Sequence, residues 1–154
     1  MNIFIDTEFT DPVDLDLISI GLVTEFGQTF YAERNDYDEA LCNDFVRDTV
    51  IPLLGAPGAA VRSRADLKVE VIAWLAQFEQ DRPVICYDFM GDWALLWDLC
   101  DKQTPKWLAM RNVRDSIDKI ALENFFSATG LARHHALNDA RGNAAAYRSG
   151  RPWW

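Results

Sequence analysis

An α/β fold, with a mixed sheet of about five strands flanked by helices, is predicted by three features of the sequence. Two short runs rich in β-branched residues lie near the start, Ile3-Phe4-Ile5 and Leu17-Ile18-Ser19-Ile20-Gly21. A turn signal at Phe26-Gly27-Gln28 follows the second run and returns the chain as a hairpin. The later sequence alternates amphipathic helical stretches with short apolar runs, the pattern of crossover connections. Early antiparallel pairing and later crossovers together require a mixed sheet.

The elements follow in order. Residues 2–6 read as a buried strand. Residues 15–24 are apolar on both faces through their middle, as a central strand should be. Residues 28–33 read as the returning strand. Residues 39–50 read as a helix ended before Pro52, and the Gly-, Pro- and Ala-rich segment 52–60 reads as a loop. Ser63 is expected to cap a helix over 64–79, with Leu67, Val71, Trp74, Leu75 and Phe78 on one face. After Pro83, residues 84–87 read as a short strand. A helix over 92–101 places Trp93, Leu96, Trp97 and Cys100 together, with Trp74, Trp93 and Trp97 expected in the core. A weakly signalled strand lies near 111–114. Residues 116–128 read as a helix with Ile117, Ile120, Ala121 and Phe125 inward, closed by Gly130. A last helix is expected from near Asn138 to about Arg148.

The length of 154 residues suits one domain, 1–154, and a hydrophobic content of 49% can fill a core. Met1-Asn2 runs straight into strand-like sequence, so no leader is expected, and no apolar stretch approaches the ~20 residues needed to span a bilayer. Cys42, Cys86 and Cys100 have no paired spacing and read as buried reduced thiols, as expected of a cytoplasmic protein. The net charge is −9 and uneven: residues 1–61 hold 12 acidic and 2 basic side chains, residues 62–154 hold 12 and 13. That balance argues against tight binding over a long nucleic-acid footprint. It is compatible with a grip on a few nucleotides.

Three segments carry carboxylates in a pattern that suits metal ions. Asp6-Thr7-Glu8-Phe9 ends the first apolar run. Period two puts Asp6 and Glu8 on one side of a strand, about 6–7 Å apart. Asp92 opens an apolar helical stretch, where an acidic side chain suits the helix dipole. Asp88 competes with it for the same role. His134 precedes Asp139 by five residues in His134-His135-Ala136-Leu137-Asn138-Asp139. The set is hard, all carboxylate oxygen, and favours Mg2+ or Mn2+ over zinc. Two such ions with a histidine to deprotonate water fit phosphodiester hydrolysis. Of the two histidines, His134 is in register with Asp139, whereas His135 pairs at that spacing with Ala140, which cannot bind metal.

The ordered set Asp6-x-Glu8, Asp92, His134-x4-Asp139 resembles the DEDDh family of 3′-to-5′ exonucleases across nearly the whole chain. Asp-Thr-Glu-Phe followed by Leu17-Ile18-Ser19-Ile20-Gly21 and Phe30-Tyr31-Ala32 looks most like the small bacterial exoribonucleases of the RNase AS kind; RNase T and oligoribonuclease are more distant. The resemblance implies a ribonuclease H-like fold and hydrolysis of single-stranded RNA 3′ ends, with adenylate preference. It implies that Asp6 bridges two divalent ions, that Glu8 and Asp139 hold the first, that Asp92 supports the second, and that His134 is the general base. Gly91 departs from the pattern, since relatives commonly carry an aromatic there. Asp88 aligns with a polar position near the substrate, and Thr7 and Phe9 are further candidates for substrate contact, Phe9 by stacking on a base. Arg62, Arg64 and Arg114 could meet phosphates. The tail Arg151-Pro152-Trp153-Trp154 offers two indoles for a dimer contact, and relatives are often homodimers. The other readings are a DNA exonuclease of the same family, a binding module that has kept the fold without catalysis, and an acidic interaction domain whose motifs are coincidental.

Overall fold

The computed structural model describes residues 1–148. Six strands form one mixed sheet: β1 (Asn2–Phe9), β2 (Leu17–Thr24), β3 (Thr29–Arg34), β4 (Val61–Arg62), β5 (Val84–Tyr87) and β6 (Ala109–Asn112). Their order across the sheet is β4-β3-β2-β1-β5-β6. β1, β2 and β3 pair antiparallel, while β4, β5 and β6 each join a neighbour in parallel. The helices are α1 (Arg64–Ala76), α2 (Met90–Leu99), α3 (Lys119–Thr129) and α4 (Ala136–Ala146). This is the α/β sheet with flanking helices that the sequence predicts, consistent with a ribonuclease H-like fold. Among the described residues no helix is long and apolar enough to cross a membrane. The Arg151–Trp154 tail lies outside the described residues.

Each face of the sheet packs for a reason visible in β1. Ile3 and Ile5 point to one side and join Leu22, Ala32 and Ile85 against Leu67, Val71 and Leu75 of α1 and Leu95, Leu96 and Leu99 of α2. Phe4, Asp6 and Glu8 alternate to the other side, where α4 lies. There Phe4 meets the Tyr147 ring edge-on at 5.2 Å, with Cys86 and Val113 beside it. β2 is buried at all eight positions, as a strand covered on both faces must be. All three cysteines are buried and free.

Several boundaries differ from expectation. β1 runs on to Phe9 rather than ending at Asp6, with a register shift between Glu8 and Phe9. The expected helix 39–50 is a 3-10 turn (Glu39–Leu41), a π-helical turn (Val46–Val50) and a second 3-10 turn (Ile51–Leu53). Pro52 lies in that last turn, at a position where its missing N–H costs nothing. The sixth strand, β4, has only two residues and therefore no periodicity to read. Ser63 does cap α1, accepting the Asp66 N–H at 3.2 Å, but the α-helix ends at Ala76, and Phe78 packs beyond it. β6 lies two residues earlier than expected.

Two helix faces match expectation in part: Leu96 and Cys100 are buried and Ile117 packs beside Phe4, Cys86 and Val113, while other positions are displaced by about one residue, roughly 100° around a helix. α2 buries Leu95, Leu96 and Leu99; Trp74 and Trp93 pack partly against that core, but Trp97 is 41% exposed with the Lys102 ammonium 5.9 Å from its ring centroid. α3 begins at its Asp118 cap, and its buried side chain is Phe126, packed with Leu122 toward Gly142 of α4. Ile120, expected inward, is 75% exposed. Gly130 closes the helix in left-handed conformation, as expected.

Candidate active site

Five parts of the chain converge on one cleft. β1 supplies Asp6, Thr7, Glu8 and Phe9. The turn from β5 into α2 supplies Asp88, Phe89 and Asp92. The turn into α4 and its first two turns supply Arg133, His134, Asp139 and Asn143. Phe45 and Leu122 complete the lining of an open cavity of about 430 Å3. Every catalytic and metal-ligating residue expected from sequence lines it, together with the expected contacts Thr7, Phe9 and Asp88.

The carboxylates fall into two groups that share one member. Ligand oxygens of Asp6, Glu8 and Asp139 lie within 4.8 Å of one another, and so do those of Asp6, Asp88 and Asp92. The close approach of α4 makes the first group. Gly21 stands opposite Asp6 on β2, and a Cβ there would lie 2.4 Å from the Ala136 carbonyl carbon. Only glycine lets the start of α4 sit this low over the sheet, which brings Asp139 beside Asp6. The main-chain N–H of His135 donates to Asp139 Oδ2 at 3.1 Å and fixes that carboxylate.

The second group is fixed through Thr7. Its main-chain N–H and its hydroxyl both donate to Asp92 Oδ1, at 3.1 and 2.7 Å. Thr7 is buried and committed to Asp92, so its place in the cleft is behind a carboxylate rather than free for a ligand. Asp88 Oδ1 accepts from the Asn143 side-chain amide at 3.0 Å. Asp88 and Asp92, alternatives in sequence, are therefore both beside Asp6.

This much negative charge is costly. Glu8 is 8% exposed and Asp92 2% exposed. Among the described residues no member of the cluster is in an ion pair. Burial, and then the neighbouring carboxylates Asp92, Asp139, Glu8 and Asp88, push the Asp6 carboxyl well above its ordinary range. Burial with Asp139 and Asp92 raises Glu8 to about 8. Burial raises Asp92 to about 7 against the opposing pull of the Thr7 donors. Burial also raises Asp139, opposed by backbone N–H donors. Asp92 Oδ2 is buried with no hydrogen-bond partner. A divalent cation fits this set: the donors are hard oxygens, the charge is uncompensated, and one oxygen is orphaned.

The two histidines part company. His134 is exposed at the cleft, with its backbone in the left-handed region (φ 61°). His135 turns away to stack on Tyr31 at 4.5 Å, and its Nδ1 is buried without a partner. The phosphate candidates are mostly engaged elsewhere. Arg62 pairs with Glu70, and Arg64 with Asp98 and Asp101; neither lines the cleft, while Arg114 is exposed.

Sequence reasoning missed Phe45, Phe89, Leu122, Arg133 and Asn143. Asn143 was findable, since it follows Asp139 by four residues on one helix face. Phe89 stacks on Phe9 with centroids 5.8 Å apart, and its ring occupies the space a Cβ at Gly91 would take, 2.2 Å from that position. The missing side chain at Gly91 thus makes room for an aromatic from two residues earlier. Phe45 sits before a π-helical turn that leaves no sequence period.

No protein-family model matches the chain. Two Mycobacterium tuberculosis proteins, one from each of two strains and both named 3′-5′ exoribonuclease, are 36% identical to it over 77 residues. That match covers 49% of this chain and 46% of each relative, so the chain is similar, over about half its length, to proteins that carry an exoribonuclease name.

Proposed function

We propose that this protein is a metal-dependent 3′-to-5′ exoribonuclease of the DEDDh type. The observation that carries the reading is Asp6 shared between two carboxylate groups, in an open cleft beside an exposed histidine. The exoribonuclease name of the two relatives supports RNA as the substrate. Asp6, Glu8 and Asp139 would hold one divalent cation, and Asp6, Asp88 and Asp92 a second. Bound there, Mg2+ or Mn2+ supplies a lowered pKa for water and offsets charge on the leaving oxygen.

The chain's own residues do the rest. His134 takes a proton from the attacking water. The water oxygen bonds to phosphorus, the bond to the 3′-oxygen breaks, and that oxygen takes a proton from solvent. Thr7 holds Asp92, and the His135 N–H holds Asp139, so both carboxylates keep their aim. The stacked Phe9–Phe89 pair offers a flat apolar wall for a terminal base, worth roughly 1–3 kcal/mol per base. A short grip of this kind accords with a net charge of −9. The same reading takes residues 1–154 as one catalytic domain, a cytoplasmic setting, adenylate-rich ends and a homodimer.

The test is a time course on 5′-labelled single-stranded RNA and DNA oligomers, including oligo(A), with Mg2+, Mn2+ or EDTA. The expected result is a ladder shortening from the 3′ end of RNA that requires metal and is lost in His134→Ala. Faster loss of DNA would move the substrate to DNA. No cleavage of either by folded, metal-loaded protein would overturn the nuclease reading in favour of a binding module.

A further inference from the structure

His134 stands on an exposed, left-handed turn, and among the described residues no hydrogen bond to its imidazole orients the ring. Its one described ring contact is Phe45, edge to face, with centroids 5.0 Å apart and planes at 89°. Phe45 is 53% exposed and belongs to none of the three hydrophobic clusters, so packing does not explain it. Its backbone is nonetheless firmly placed. The Asn43 main-chain N–H donates to Thr10 O at 3.2 Å and its side-chain amide to Asp11 Oδ2 at 3.0 Å. Asn43 Oδ1 accepts the Val46 N–H at 2.9 Å. Val46 and Val50, on the π-helical turn that follows, are buried against Ile18 and Cys42. Phe45 is thus an exposed ring on a rigid mount, tied to the segment that continues directly from Asp6 and Glu8.

We infer that Phe45 is a positioning residue for His134: its ring face or edge fixes the imidazole over the carboxylate cluster, linking the proton acceptor to the strand that carries the metal ligands. The inference rests on the proposed role of His134 as general base. Physically, an exposed imidazole held by no hydrogen bond samples several rotamers, and an edge-to-face aromatic contact selects one of them. π-helical turns recur at functional sites. The alternative role for an exposed phenylalanine at this cleft is stacking on a substrate base.

The two roles separate in a double-mutant cycle with Phe45→Ala, His134→Ala and the double variant on a short single-stranded RNA. If Phe45 acts through His134, Phe45→Ala lowers kcat about tenfold to a hundredfold with KM changed less than about threefold, and removes nothing further once His134 is alanine. Phe45→Tyr, which keeps the ring, restores kcat. A rise in KM at unchanged kcat, or an undiminished loss in the His134→Ala background, would overturn the inference. A second readout needs no activity: the imidazole proton resonances of His134 should move between wild type and Phe45→Leu as the ring current is removed, and coincident resonances would equally overturn it. Wild-type protein that cleaves no nucleic acid while those resonances do move would refute the nuclease reading and leave the aromatic contact standing.

Discussion

Gly21→Ala is the substitution that most sharply probes how the fold builds the site. The added Cβ would lie 2.4 Å from the carbonyl carbon and oxygen of Ala136 and 2.5 Å from the Leu137 Cα. All three are backbone atoms, so no side chain can swing aside. Ordinary contact begins near 3.4 Å, so the start of α4 must rise by about 1 Å. Overpacking of this kind costs about 1–3 kcal/mol. For a chain of this size each kcal/mol lowers Tm by about 2–4 °C, giving a fall of about 2–12 °C. Asp139 lies on the first turn of the displaced helix and must leave Asp6 by a similar distance. A 1 Å error in a reacting constellation can cost about a hundredfold in rate. The assay is thermal melting with EDTA and with Mn2+, followed by turnover on RNA. Wild type at a hundred times Kd should gain about 2.7 kcal/mol from a bound ion, roughly 5–11 °C, and the variant should gain much less. A Gly21→Ala protein with unchanged Tm and a full response to Mn2+ would refute the claim that this close approach sets Asp139.

Other expectations follow from the same geometry. Glu8 and Asp92 bind protons more tightly in the folded state, to about 8 and about 7 against ordinary values near 4, so the folded chain holds more protons than the unfolded chain in between. Metal-free stability should therefore be highest near pH 4–5 and fall as pH rises toward 8, by about 5 °C or more in Tm; the Mn2+ gain should grow over the same range, and a metal-free Tm flat from pH 5 to 8 would contradict this. Gly91→Ala places a Cβ 2.2 Å from a Phe89 ring carbon. A side chain can move away, so stability should hold within about 1 kcal/mol, while loss of the Phe9–Phe89 wall raises KM for RNA about fivefold or more. Ser63→Ala removes the α1 cap and should lower Tm by about 2–4 °C with activity unchanged, since Ser63 does not line the cleft.

The parts legible in the sequence were those with a local cause. Period two put Asp6 and Glu8 on one face of β1 before any contact was known, and the Ser63 cap and the strand Val84–Tyr87 are set by their own residues and the proline just before. Hidden features depend on neighbours distant in sequence. Whether Asp88 or Asp92 reaches Asp6 is decided by how β5 pairs with β1, and the structure brings both. Trp97 and Ile120 were mis-phased because the apolar stripe of a short helix shifts with its first residue, and the caps of α2 and α3 fall at Phe89 and Asp118. β4 pairs for only two residues, and Phe45 precedes a turn with no regular period. The space over Gly91 became intelligible only once the Phe89 ring was seen to fill it.

The proposed chemistry depends on Asp6 being shared by two cation sites. A Mn2+ titration of metal-free protein, read by calorimetry and by the electron spin resonance of free ion, counts those sites directly. Two ions per chain in wild type are expected, with both lost or greatly weakened in Asp6→Asn and one retained in Glu8→Gln. Binding that is absent in the wild type, or undisturbed by Asp6→Asn, would contradict it.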